Sequence, residues 1–357
     1  MTIVITILVF GLIILVHEFG HFIVAKLSGI TVLQFTIGFG PAIFKKKIGE
    51  TLYALRLLPI GGAVMMKGEN AGEEELLTGG AEGETLPDAN DTHGSFMEAS
   101  KLKRFLVSVA GSAMNLLCGV VIIAIIMAPA KTVSSTKLAG FMDGAAIAQG
   151  PLQAGDEIVK IDGFRMYIYG DLLTALALGG DEYDITVLRG GERIKLENVE
   201  LKMQTFEIDG KSEQKYGFIF SAQELSFGGK IKYALNNAAS FLQSAVKSLQ
   251  MLFTGRASAK DMMGTVGIAT EISDRAKTSM REMWYFVAFL SVNIGFVNLL
   301  PIPALDGGKI LFILVELIRG KKLDPKYESY ISMAGMVLLL GLFAYVTFND
   351  ISRLVRR

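Results

Sequence analysis

From Met1 to Val16 the chain carries no charged residue, and the run continues through His17-Glu18-Phe19-Gly20-His21 into further apolar positions. A run of that length is suited to cross a bilayer as a helix. Ionisable side chains inside such a helix are expensive and usually mark function. Two histidines four apart share one helix face, separated by roughly 6 Å of rise. Both imidazoles can therefore reach a single metal ion, and the glutamate beside the first can act on a water bound to it. The chain has three histidines, and two of them stand here.

Hydrophobic residues make up 51% of the chain and are gathered in blocks. This is the pattern of a polytopic α-helical membrane protein with polar inserts. The blocks predict spans at residues 1–27, 101–128, 282–304 and 330–357, the apolar parts of the last three being Phe105–Ala128, Met283–Leu300 and Ile331–Phe348. A cleaved signal peptide is the rival reading of the first run. Against it, no basic stretch precedes the run, no small-residue cleavage site follows, and cleavage would discard the histidine motif. The balanced charge argues for no nucleic-acid partner. The single Cys118 falls inside the second span and has no partner for an internal disulfide.

Basic residues near span ends set orientation. Lys26, Lys101, Lys103 and Arg104 flank one loop, and Arg319, Lys321, Lys322 and Lys326 fill another, so both loops are expected in the cytoplasm. The N-terminus, the insert between spans two and three, and the C-terminus are then extracytoplasmic, although Arg353, Arg356 and Arg357 oppose the rule. On this orientation His17 lies roughly 24 Å down its helix, inside a hydrocarbon core of about 30 Å. The third span descends from Glu282 to Asn298 and runs into Pro301-Ile302-Pro303-Ala304-Leu305-Asp306-Gly307-Gly308. Broken backbone at that depth is tolerated only where it is buried in protein or lines a wet cavity. Asp306 is thereby offered at the level of the histidines. It can complete a site of three protein ligands with one open position for water, cap the following helix, or do both.

These two segments resemble the two motifs of the bacterial site-2 intramembrane metalloproteases, of the regulator-of-sigma-E-protease type, and the resemblance covers essentially the whole chain. His17-Glu18-Phe19-Gly20-His21 matches the family's zinc motif, and Asn298 to Gly307 matches its second motif, whose aspartate is the third ligand. The resemblance implies zinc (Zn2+) held by His17, His21 and Asp306, with Glu18 as the proton carrier in peptide-bond hydrolysis. It also implies substrates that are single-span, pre-trimmed, membrane-anchored regulators such as anti-sigma factors, cut within the bilayer. Asn298 matches the motif asparagine implicated in handling substrate, and Asn293 lies on the same span. Gly111-Ser112-Ala113-Met114-Asn115 resembles the family's Gly-Pro-x-x-Asn, with Ser112 in place of the proline.

Residues 28–68 hold β-rich stretches at Val32–Ile37 and Thr51–Leu58, with turn signals at Gly38-Phe39-Gly40-Pro41 and Pro59-Ile60-Gly61-Gly62. They resemble the family's membrane-associated β-hairpin region, where an edge strand pairs with extended substrate. Leu52, Tyr53, Ala54 and Leu55 are expected on that edge. Residues 69–100 read as an acidic cytoplasmic linker, with His93 solvated. Residues 131–225 resemble one circularly permuted PDZ domain, with a hairpin formed by Tyr183–Leu188 and Arg193–Glu197. Its Gly144-Ala145-Ala146-Ile147-Ala148 loop departs from the usual Gly-Ser-Pro-Ala. An amphipathic helix and connector follow at 226–281, and a cytoplasmic loop at 305–329. The fold expected is four transmembrane helices, a membrane-associated β-hairpin region and one extracytoplasmic PDZ domain. Two other functions use parts of this pattern. A metal transporter would spread its ligands along a path, and a PDZ-bearing membrane scaffold would have no use for the histidines.

Overall fold

Long apolar segments that satisfy their own backbone as helices alternate along the chain with two β-rich stretches. The computed structural model describes residues 2–69, 93–208, 210–256, 258 and 263–355. Most of the expected acidic linker, residues 70–92, lies outside the described residues. In chain order the elements are α1 (Thr2–Leu27), β1 (Val32–Ile48), β2 (Thr51–Met66), α2 (Lys101–Met127), β3 (Thr132–Phe141), β4 (Glu157–Ile161) and β5 (Phe164–Arg165). There follow α3 (Tyr169–Leu178), β6 (Glu182–Arg189), β7 (Glu192–Glu200), β8 (Gln204–Ile208), β9 (Lys211–Lys215) and β10 (Phe218–Glu224). The chain closes with α4 (Phe227–Phe253), α5 (Thr265–Thr278), α6 (Met280–Asn298), α7 (Asp306–Arg319) and α8 (Pro325–Val355). They divide into two units, Met1–Gly119 with Ser248–Arg357, and Val120–Lys247.

Three described helices are long and apolar enough to cross a membrane: Val4–Leu27, Lys101–Met127 and Lys326–Arg353. The expected third span, α6, does not reach that standard, because Met280-Arg281-Glu282 open it. It is nonetheless deeply enclosed, with Val287, Ala288 and Val292 fully buried. A buried ion pair ties α2 to α7. Arg104 donates to Glu316 at 2.7 Å, Glu316 also accepts from the Leu323 N–H, and the Arg104 guanidinium lies 5.4 Å from the Phe96 ring centroid. Removing one partner of such a pair typically costs about 3–5 kcal/mol, since the other charge stays buried.

Strands β1 and β2 pair antiparallel and double back on themselves. Gln34, Phe35, Thr36 and Ile37 are partnered twice, by Leu52, Tyr53, Ala54 and Leu55 and again by Met65, Val64, Ala63 and Gly62. Phe44 to Ile48 then pair with Leu55 to Thr51. The order across this small sheet is therefore 44–48, 51–55, 34–37, 62–66. The expectation that Leu52 to Leu55 form an exposed edge is corrected: their backbone is paired on both sides, and Tyr53 packs into a ring cluster with Phe22 and Phe35. Gly62 to Met66 are partnered on one side only among the described residues. The base of the sheet joins α1 through a core of Ala25, Ile30, Val32, Met66, Phe96 and Val107.

In the second unit the strands run in the order β10-β3-β4-β6-β7, with β5 paired to β4. Alternation along β6 buries Tyr183, Ile185 and Val187, the period-two pattern of a half-buried strand. The expected hairpin is present, β6 pairing with β7 from Arg189↔Glu192 inward. Asp156 is fully buried and takes two bonds from Arg189, at 2.7 and 2.8 Å, and one from the Gln153 N–H at 2.9 Å. Asp171 caps α3 by accepting from the N–H groups of Tyr167 and Ile168, and the Ser240 hydroxyl of α4 donates to its other oxygen at 2.5 Å. The α4 stripe buries Ala234, Ala238 and Phe241, whereas Ile231 and Leu235 are exposed.

Candidate metal centre

Helical spacing puts His17 and His21 on one face of α1, where both are 8% exposed and their rings meet edge to face with centroids 4.8 Å apart. Their Nε2 atoms are 3.2 Å apart. Asp306 arrives from the far end of the sequence. After α6 ends, prolines at 301 and 303 prevent the helix from continuing, the chain turns with Ala304 at φ 75°, and α7 starts at Asp306. The left-handed conformation at an alanine costs roughly 1–2 kcal/mol, and it aims the next turn back at α1. Asp306 Oδ2 ends 3.1 Å from His17 Nε2 and 3.2 Å from His21 Nε2.

Three donor atoms thus form a triangle with edges of 3.1, 3.2 and 3.2 Å. Ligands about 2.1 Å from a zinc ion in a tetrahedral shell stand roughly 3.4 Å apart, so the triangle is close to three corners of that shell. Asp306 Oδ2 is buried and, although near both rings, has no aligned hydrogen bond. A buried carboxylate oxygen in that state is better satisfied by a cation than by either ring. Two imidazoles and one carboxylate are also the donor set of catalytic zinc. The residues present fit the ion.

Helix α2 supports this cluster. The Val107 carbonyl, 2.7 Å from His21 Nδ1, can only accept, so Nδ1 carries the proton and Nε2 keeps its lone pair. The Asn115 amide lies 3.3 Å from His17 Nδ1. A Cβ on Gly20 would meet the Ala110 carbonyl oxygen at 2.5 Å, and one on Gly111 would meet His21 Nε2 at 2.4 Å. Glycine at both positions is what lets α1 and α2 approach here. Val107, Gly111 and Asn115 were not singled out for the centre by the sequence. The signal for Gly111 and Asn115 is the resemblance of Gly111-Ser112-Ala113-Met114-Asn115 to the family's Gly-Pro-x-x-Asn, which carries no assignment to the centre; Val107 has no local signal.

Two cavities open on the cluster. One, of about 200 Å³, is lined by His17, Glu18, His21, Asp306 and Lys309 and by the strand segment at Gly62, Ala63, Val64 and Met66. The other, of about 280 Å³, is lined by Glu18, Asn298, Ala304 and Asp306 among others. Glu18 faces both. Lys309, one turn beyond Asp306, pairs with Glu69 at 2.5 Å. Asn298 is brought to the centre. Asn293 lines neither cavity and donates its amide to the Phe289 carbonyl of its own helix at 2.7 Å. Leu52 to Leu55 line neither.

Apolar spanning helices that fold a histidine pair and an aspartate around one point, beside a glutamate in an open cavity, define a membrane metallopeptidase. The model of peptidase family M50 matches residues 5–342, and the chain belongs to that family. It is similar to a Clostridium perfringens protein with a provisional description as a zinc metalloprotease, 33% identical over 98% of both chains. It is also similar to the zinc metalloprotease RasP of Bacillus licheniformis, 32% identical over 99% of both. The regulator of sigma-W protease RasP of Bacillus subtilis is 29% identical over 99% of both. The chain is accordingly a zinc-dependent protease of the membrane.

Proposed function

We propose that this enzyme cuts the transmembrane segments of single-span, membrane-anchored regulators, with zinc held by His17, His21 and Asp306 and with Glu18 carrying the proton. The observation that carries the reading is the meeting, within 3.2 Å, of donors 285 or more positions apart in sequence, on the same cavity as Glu18. Zinc in that position supplies a Lewis acid for a carbonyl oxygen and makes a bound water more acidic. Glu18 takes the proton of the attacking water and returns it to the leaving amide nitrogen. Asn298 would donate to the oxygen on which negative charge develops, a role supported by its lining the second cavity.

A peptide must leave its helix before a carbonyl inside it can be attacked, and a free strand edge offers its backbone new partners. The edge that serves this purpose is Gly62 to Met66, which has one unpaired side among the described residues and lines the cavity containing Glu18. The name of the Bacillus subtilis relative, a regulator of sigma-W protease, supports a membrane-anchored regulator as substrate; that the substrate is trimmed beforehand is part of the proposal. The basic residues at the span ends support a topology with the termini and the Val120–Lys247 unit outside the cell and the loops after spans one and three in the cytoplasm. On this topology α6 is the third of four spans, held in the bilayer by its neighbours, and the sheet at 28–68 lies against the membrane. The strand order and capped α3 of the second unit support a PDZ-like domain. A metal transporter is less well supported, because His17, His21 and Asp306 are the one such donor group among the described residues. The test is co-expression with trimmed single-span membrane proteins. The intact enzyme should remove the stub and Glu18→Gln should leave it. Removal by both would refute the proposal.

A further inference from the structure

The three donors of the metal centre all face one another through Nε2 or Oδ2, so each histidine must carry its proton on Nδ1 to offer a lone pair at Nε2. For His21 the tautomer is dictated, because its Nδ1 partner is the Val107 carbonyl. His17 has a different partner at Nδ1, the Asn115 side-chain amide, whose nitrogen Nδ2 stands 3.3 Å away. An amide can face an imidazole with either end, since its oxygen and nitrogen have nearly the same shape. Facing with nitrogen, it would donate to Nδ1 and drive the proton to Nε2, the atom aimed at Asp306. Facing with oxygen, it would accept from Nδ1–H and leave Nε2 free.

Asn115 is fully buried, and its Oδ1 has no hydrogen-bond partner. Its backbone is fixed from the other side, the Ser291 hydroxyl of α6 donating to the Asn115 carbonyl at 2.8 Å. The side chain is therefore held against His17 with an unused acceptor. We propose that Asn115 is the positioning residue that sets the His17 tautomer: in the zinc-loaded enzyme its amide oxygen accepts from His17 Nδ1–H, as the Val107 carbonyl does for His21. This rests on the reading of His17, His21 and Asp306 as the zinc ligands. Ligating histidines generally give their second N–H to such an acceptor, and loss of that partner lowers metal affinity by about 10- to 100-fold.

The experiment compares Asn115→Asp, Asn115→Leu and Asn115→Ala as full-length protein in detergent. Zinc affinity is measured by chelator competition, the cobalt(II) absorption spectrum is recorded, and thermal unfolding of the metal-free protein reports folding. Asn115→Asp, which can only accept, should bind zinc within a few-fold of the wild type with an unchanged cobalt spectrum. Asn115→Leu, of matching size, should lose about 10- to 100-fold in zinc affinity and alter the spectrum. Asn115→Ala should lose as much, and serves if the leucine variant does not fold. The inference is overturned if folded Asn115→Leu or Asn115→Ala binds zinc like the wild type, or if folded Asn115→Asp loses as much as they do. Asp306→Ala, measured alongside, separates the two levels. If it loses zinc while the Asn115 variants do not, only this inference fails; if it binds zinc fully, the ligand assignment fails as well.

Discussion

Replacing Gly111 by alanine should cost the enzyme its metal without costing it its fold. In an unhindered helix interior the change is favourable by roughly 0.5–1 kcal/mol, so α2 itself should be the more stable for it. The added Cβ, however, would stand 2.4 Å from His21 Nε2, 2.7 Å from His17 Nε2 and 2.8 Å from His17 Cε1. An ordinary contact needs about 3.5 Å, so the histidines and the helix must separate by about 1 Å. The rings cannot yield freely, because Val107 and Asn115 hold their other nitrogens. Displacement of that size at a reacting centre can cost on the order of 100-fold, or about 2.7 kcal/mol at 1.36 per decade, which exceeds the helical gain. The assay is zinc affinity by chelator competition, beside the thermal unfolding of the metal-free protein. Zinc affinity should fall by on the order of 100-fold, taking the loss that such a misplacement causes in rate as the guide. The metal-free protein should still fold but unfold at a lower temperature, because overpacking of about 1–3 kcal/mol outweighs the helical gain. Native zinc affinity in Gly111→Ala would refute the claim that α2 is packed against the metal-binding nitrogens.

Three further outcomes are expected. Proline substitution of residues 62 to 66 should impair cleavage most at positions whose N–H points away from β1, because proline removes a ladder donor. At Leu52 to Leu55 it should instead reduce stability, and equal loss of cleavage without unfolding in both segments would remove the 62–66 edge from the substrate path. Ala304→Gly should raise thermal stability by about 0.5–1 kcal/mol, as the left-handed strain at φ 75° is relieved and partly offset by glycine entropy; a lower melting temperature would contradict this. Burial alone would raise the Asp156 carboxyl, but the Arg189 bonds and the Gln153 N–H outweigh it and hold it below the usual carboxylate range. Its folded pKa is thus depressed, so its contribution is full above about pH 4 and is lost as pH falls through the folded value. Hydrogen exchange of residues 132–224 should show that loss on acidification, and Arg189→Met should flatten it.

The parts legible in the sequence are those whose chemistry sits in local spacing. His17-Glu18-Phe19-Gly20-His21 needs only the helical repeat to present two imidazoles on one face, and prolines at 301 and 303 announce the break that delivers Asp306. What was not legible depends on which distant surfaces meet. Val107 and Asn115 reach the histidines across 86 and 98 positions; Asn115 stood out by the motif its segment resembles, but an asparagine in an apolar helix looks the same whether it faces a histidine or a neighbouring carbonyl. In the small sheet the turn signals near residues 38–41 and 59–62 were visible. The doubling back that encloses Leu52 to Leu55 and frees Gly62 to Met66 follows from register, which the alternation of side chains does not encode. Likewise α6 read as a span by its apolar middle, while its charged first turn keeps it below the standard met by α1, α2 and α8.

We propose that the zinc ligands and the proton carrier are different residues of one centre. The measurement is bound zinc per chain together with cleavage of a trimmed single-span substrate, for the purified wild type, Glu18→Gln and Asp306→Ala. Glu18→Gln should retain wild-type zinc and cleave nothing, while Asp306→Ala should lose both zinc and cleavage. Full zinc and full cleavage in Asp306→Ala, or cleavage by Glu18→Gln, would contradict it.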